Sequence, residues 1–233
     1  MKEVKKKIVK LKIKKFPNGK WGILMRKMIL YSDQIQEDRK LDYELLRLLN
    51  KENPSIAYLR SSSDETGKYF NNVVKYYRDL GISKVEYFDL DKEYDERKVN
   101  NIFNYDAIHL SGGNTFRFLN SLRKRNLLHS LKSYVENGGV LIGVSAGSII
   151  STKSIDTAQF VDEDIIGLED RSSLGFVDFD FMPHWSEEQS EKYLELLKDY
   201  SRLKNRTIYA CKDGDGIVID GEDIKLIGNV IKI

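Results

Sequence analysis

The chain has 233 residues, 41% of them apolar, which is enough to bury one full core and calls for no second one. Its single cysteine, Cys211, excludes an internal disulfide and a cysteine-rich metal centre and fits a reducing compartment, so a cytoplasmic location is expected. No uninterrupted apolar run is long enough for a signal peptide or a membrane span, and no membrane partner is expected.

The net charge of +2 hides an uneven distribution. Residues 1–27 carry ten Lys and Arg26 against Glu3, a local charge of +10, which leaves −8 for the remainder. A basic segment on an acidic body admits an anionic partner, nucleic acid or a membrane surface. The alternation of Val9, Leu11 and Ile13 with Lys10, Lys12 and Lys14 argues instead for a strand with one solvated face. Pro17-Asn18-Gly19 then supplies a turn toward Trp21 to Met25. Residues 1–27 are therefore expected to form a basic hairpin appended to a single domain of residues 28–233, and nucleic acid is not expected as a partner.

From Met28 onward, short apolar runs alternate with longer stretches of helical spacing, the pattern of an α/β fold with a mostly parallel sheet and helices on both faces. Predicted strands are Met28 to Tyr31, Ser55 to Leu59, Lys84 to Phe88, Ala107 to Leu110 and Val140 to Val144. Predicted helices are Leu41 to Leu49, Tyr69 to Leu80, Phe116 to Leu122 and Leu127 to Val135. The last third reads as a strand over Leu174 to Met182, a helix over Glu187 to Leu203, and three short strands from Thr207 onward.

The strongest local signal is Gly143-Val144-Ser145-Ala146-Gly147, a G-x-S-x-G sequence between an apolar strand and a probable helix. In that context the glycines allow a sharp turn that exposes the serine, and the start of the helix places partial positive charge near its oxygen. A serine hydroxyl needs a neighbouring base. Of the three histidines, His109 lies inside an apolar strand and reads as a packed residue, and His129 lies on a charged helix. His184 follows Pro183 at a strand end, where open α/β sheets place their sites. Ser111-Gly112-Gly113-Asn114-Thr115 occupies another strand end before a helix. The backbone NH groups of Gly112, Gly113 and Ala146 are candidates for an oxyanion hole, and a plain strand-to-helix turn is the alternative. Walker and dinucleotide-binding spacings are absent, so no phosphate cofactor is expected.

Taken together, these segments resemble the S51 family of serine peptidases, which includes peptidase E (aspartyl dipeptidase) and the related cyanophycinases. Ile56-Ala57-Tyr58-Leu59 with Ser61 to Asp64 is similar to the family's second strand and polar turn. Tyr105 to Phe116 is similar to its glycine-rich loop, Gly139 to Gly147 to its nucleophile strand, and Asp178 to Trp185 to the strand ending in Pro-His-Tyr. The resemblance implies a Rossmann-like, class I glutamine-amidotransferase-like fold and a serine, histidine and acid triad. Ser145 and His184 carry over directly. The acid falls in Lys212-Asp213-Gly214-Asp215-Gly216, where Asp213 is favoured and Asp215 is the substitute. Asn114 and Thr115 become candidate substrate contacts. An aspartate that peptidase E carries after the nucleophile is missing from Thr157-Ala158-Gln159-Phe160, although Asp156 and Asp162 flank it, so a preference for amino-terminal Asp is in question. Arg171 is a guess for a cation that would meet an acidic substrate.

The expected activity is hydrolysis of a small peptide through an acyl-enzyme on Ser145, with no metal and no organic cofactor. An esterase or amidase with the same triad, and a non-catalytic binding module on the same fold, are the alternatives. The oligomeric state has no signature in the sequence.

Overall fold

A computed structural model describes residues 25–233 and, before them, two short strands, β1 (Ile13–Lys15) and β2 (Trp21–Ile23). These two pair antiparallel, Ile13 opposite Ile23. The turn expected at Pro17-Asn18-Gly19 and the side-chain alternation from Val9 to Lys14 lie outside the described residues.

The chain then runs through β3 (Lys27–Tyr31), α1 (Lys40–Leu49), β4 (Ser55–Leu59), α2 (Lys68–Arg78), β5 (Lys84–Phe88), a short helix α3 (Glu96–Val99) and β6 (Ala107–Leu110). It continues through α4 (Thr115–Lys124), α5 (Leu127–Glu136), β7 (Val140–Val144), α6 (Ala146–Ile150), β8 (Asp180–Met182) and α7 (Glu187–Lys204). It ends with β9 (Ile208–Ala210), β10 (Gly216–Asp220), β11 (Asp223–Ile227) and β12 (Ile231–Lys232).

Seven strands form the main sheet in the order β11-β10-β3-β7-β6-β4-β5. The five from β3 to β5 are parallel, and β10 and β11 add an antiparallel edge. Parallel strands need helical crossovers, which cover both faces and demand near-continuous apolar strands. The β3 side chains show this division. Met28 and Leu30 join the larger core with Phe116, Phe118, Leu131 and Ile149, whereas Ile29 and Tyr31 face the other way, against Leu41, Leu45 and Tyr77.

The last third departs from the sequence reading. Of the strand expected over Leu174 to Met182, only Asp180–Met182 is strand; the residues before it run irregularly, with Phe176, Val177 and Phe179 tucked into the core. Their apolar pattern came from burial rather than from strand pairing. Four short strands, not three, follow α7. They divide between the main sheet and a second sheet of order β12-β9-β8, in which β8 and β9 are parallel. This second sheet packs Met182, Ile208 and Ala210 against Trp185 and Leu197.

The division into two sheets positions the site. Ser32, Ser61, Ser111 and Ser145 each follow within two residues the carboxyl end of a parallel strand of the main sheet. His184 and Asp213 follow the carboxyl ends of β8 and β9 in the second sheet. Among the described residues, no helix is long and apolar enough to cross a membrane.

Candidate active site

Ser145 sits between β7 and α6 with φ 50° and ψ −106°, a conformation that L-residues adopt only where the surroundings enforce it. Here the enforcement is visible. The Ser145 amide donates to the Tyr31 carbonyl at 3.1 Å, and the Ser148 hydroxyl donates to the same oxygen at 2.8 Å. Across the turn, the Gly147 amide donates to the Ser111 carbonyl at 3.1 Å. Any Cβ at position 147 would collide with the Leu110 carbonyl, so the second glycine of the motif is needed for close packing of α6 on β6.

Ser145 Oγ lies 2.8 Å from His184 Nε2, and His184 Nδ1 lies 2.8 Å from Asp213 Oδ1. His184 also has a positive φ, 56°, which turns its ring back from β8 toward the serine. Of the two carboxylates in the Asp213 turn, only Asp213 reaches the imidazole. Asp215 points away, accepting the Asn229 amide at 3.0 Å.

Ser32 completes the arrangement. Fully buried, its hydroxyl accepts the His184 backbone NH at 2.7 Å and donates to Asp213 Oδ1 at 2.9 Å. Sequence reasoning missed it, although a serine directly after the apolar run Met28 to Tyr31 occupies the kind of strand end already used to select His184. The Asp213 hydrogen bond, opposed by burial and aided by the charges of Asp213, Asp33 and Asp162, holds His184 above its ordinary histidine value. Reciprocally, the bond to His184 holds Asp213 below the usual carboxylate range. The nearby thiol of Cys211 is buried and pushed well up, chiefly by desolvation, so it is no rival nucleophile.

The glycine-rich loop approaches from β6. The Gly112 carbonyl accepts from the hydroxyls of Ser61 (3.1 Å) and Ser111 (2.8 Å). In a trans peptide the NH points opposite to the carbonyl, so this pair of bonds fixes the direction of the Gly113 NH. Among the described residues, the NH groups of Gly112, Gly113 and Ala146 donate to no protein acceptor, and an ideal Cβ on Gly112 would stand 3.5 Å from Ser145 Cβ.

A cavity of about 410 Å³ opens beside Ser145, lined by Gly112, Gly113 and His184 and also by Tyr58, Asn72, Tyr76 and His109. Asn114 and Thr115, expected at the substrate, do not line it. Asn114 caps α4 by accepting the Arg117 amide at 3.0 Å and donates to the Glu163 carbonyl, while buried Thr115 binds Asp162. Their polarity serves the start of the helix. Arg171 is likewise engaged elsewhere, near Asp156 and Asp164 at 3.8 and 3.9 Å. Among the described residues, no group of acidic, histidine and cysteine side chains could hold a metal ion.

A serine strained into an elbow after a parallel strand, with a histidine and a carboxylate behind it, is the arrangement found in serine hydrolases built on α/β sheets. Residues 28–227 match the model of peptidase family S51, and the chain belongs to that family. It is 32% identical over 130 residues to peptidase E of Shewanella sp. (strain ANA-3), a match covering 53% of this chain and 54% of that one. It is 26% identical over 180 residues to the uncharacterized peptidase YgaJ of Bacillus subtilis (strain 168), covering 76% and 74% of the two chains. The alignment to the Shewanella relative thus spans about half its length. Among solved structures, a candidate peptidase E from Listeria monocytogenes EGD-e superposes with a TM-score of 0.72 at 22% identity, covering 88% of this chain and 100% of that one. These identities establish a shared fold.

Proposed function

We propose that the protein is a serine peptidase acting on small peptides, with Ser145 as nucleophile, His184 as general base and Asp213 as the acid that orients it. The observation carrying this reading is the unbroken path of two 2.8 Å hydrogen bonds from Ser145 Oγ through His184 to Asp213, starting from a serine in a strained elbow.

In this mechanism Ser145 Oγ attacks the scissile carbonyl carbon while His184 Nε2 takes the hydroxyl proton. The carbonyl oxygen gains the electron pair and is met by the NH groups of Gly113 and Ala146, a contribution of about 3 kcal/mol for one such donor. His184 then protonates the amine nitrogen as the C–N bond breaks, leaving an acyl-serine. A water gives its proton to His184 and its oxygen to the acyl carbon, and Ser145 leaves with the proton returned by His184. Asp213 stays ionised throughout, holding Nδ1 protonated so that Nε2 can act as base.

The open cavity beside Ser145, about 410 Å³, suits a side chain or a dipeptide-sized ligand rather than a long protein segment. The decisive experiment compares wild type with Ser145→Ala on a dipeptide panel, alongside labelling by a fluorophosphonate. Cleavage and labelling that both vanish in the variant support the reading. A wild type that neither cleaves nor labels refutes it and favours the binding-module alternative, while labelling with ester turnover alone favours an esterase.

A further inference from the structure

Among the described residues, the lining of the cavity beside Ser145 contains no Lys or Arg. Its formal charges are exposed Asp33 and whatever His184 carries; besides the hydroxyls of Ser111 and Ser145, the other polar side chains are the amides of Gln34, Gln36 and Asn72, the hydroxyls of Tyr58 and Tyr76, and His109. His109 is 2% exposed and clamped edge-on between the rings of Tyr58 and Tyr77, 4.8 and 5.7 Å away.

The tautomer of His109 follows from its neighbours. Gln34 Nε2 donates to the Tyr77 hydroxyl at 3.3 Å, and that hydroxyl lies 2.9 Å from His109 Nδ1. The buried hydroxyl must donate somewhere, and Nδ1 is its acceptor, which leaves the proton of a neutral imidazole on Nε2. Burial keeps the ring neutral, with its pKa pushed down to about 3. Among the described residues Nε2 has no hydrogen-bond partner, since the ring's one hydrogen bond is made by Nδ1. His109 lines the cavity, and Nε2 is the ring nitrogen that Tyr77 does not engage.

We propose that this cavity is a side-chain pocket selective for an uncharged carboxamide, the side chain of Asn or Gln next to the scissile bond, with His109 Nε2–H as donor to the amide oxygen and Asp33 as acceptor of the amide NH. The proposal rests on Ser145 being the nucleophile. A carboxylate entering the pocket finds no Lys or Arg among the described lining residues and meets the Asp33 charge. An apolar side chain leaves the buried Nε2–H without an acceptor, and sites built around such a donor discriminate strongly against analogues lacking the partner. A lysine or arginine would suit Asp33 but would bring a donor against a donor at the floor.

The test uses peptides identical except for Asn, Gln, Asp, Glu, Lys or Leu on either side of the scissile bond. kcat/KM is measured with wild type, and affinity by calorimetry with Ser145→Ala, so that the pocket is read even without turnover. A carboxamide preference of at least about tenfold over the matching carboxylate and over Leu is expected on one side. His109→Phe should bring the carboxamide-to-Leu ratio close to one. Asp33→Asn, a change at an exposed position, should shrink the carboxamide-to-carboxylate ratio. Equal or better use of Asp, Lys or Leu, or ratios unmoved in both variants, overturns the proposal. Wild-type hydrolysis of p-nitrophenyl acetate that is lost in Ser145→Ala reports the nucleophile separately, so failure of the pocket and failure of the peptidase mechanism give different results.

Discussion

Ser32 and Asp213, 181 positions apart in the chain, share a hydrogen bond of 2.9 Å, and the same serine hydroxyl receives the backbone NH of His184. One buried side chain from the main sheet thus joins the two strand ends of the second sheet that carry His184 and Asp213. Ser32→Ala removes a bond to a charged group and leaves the His184 amide without its acceptor, a loss of roughly 1.5–3 kcal/mol. If that loss falls on the orientation of His184, kcat drops about 10- to 100-fold with KM little changed. Steady-state kinetics check this, and Ser32→Thr, which keeps the hydroxyl, should recover part of the rate.

The Gly112 carbonyl, held by Ser61 and Ser111, offers a second test. Gly113 has φ 114°, and a Cβ there would run into the Ser61 hydroxyl. Gly113→Ala must therefore swing the loop and misdirect the Gly113 NH, lowering kcat by about 100-fold, the loss typical of one oxyanion donor. Ser61→Ala removes one of the two anchors and should give a smaller loss of the same kind. Unchanged fluorophosphonate labelling in both variants would argue against the loop having this role.

Much of this arrangement was legible from local pattern. The inner parallel strands are near-continuous apolar runs because both sheet faces are covered, whereas edge strand β5 alternates; the elbow announces itself because few residues other than glycine can flank so tight a turn. Long-range relationships were not legible. Nothing local distinguishes Ser32 from any serine after a strand, or marks His109, a strand residue, as a cavity wall. Asn114 and Thr115 read as site residues from the same polarity that Asn114 uses to cap α4 and Thr115 to bind Asp162: short polar side chains at a helix start serve either purpose. The region from Leu174 to Phe179 read as strand because its apolar residues are buried, but its backbone finds no strand partner.

The ion pair of Arg206 with Asp180 tests what holds the second sheet in place. Asp180 is fully buried at the start of β8, 2.6 Å from the Arg206 guanidinium, and accepts the Tyr200 hydroxyl at 3.1 Å. Removing one partner strands the other's charge in the interior, at a cost of roughly 3–5 kcal/mol. Arg206→Ala is expected to lower the unfolding free energy by that amount, and Arg206→Ala with Asp180→Asn together to cost less than the single change. A double-mutant cycle by urea unfolding measures the difference.

The pH dependence should follow from His184. Its pKa is raised, first by the Asp213 hydrogen bond, and the proposed mechanism needs the neutral ring. The acid limb of kcat/KM is therefore expected above the ordinary histidine value of about 6.5, with activity rising as pH climbs through the raised pKa. Stability runs the opposite way. The charged imidazole is favoured in the folded state, so its contribution is fully present below the unfolded value and is lost as pH rises through the folded one. Asp213→Asn removes the first-named cause of the shift and the anchor of the Nδ1 proton. The acid limb should move down toward or below the ordinary value, while kcat falls by about 10⁴, the scale seen when a triad acid becomes an amide. An acid limb that stays in place in Asp213→Asn would mean that Asp213 does not govern His184 and would leave Asp33 or Asp162, the other charges felt by the ring, as what raises it.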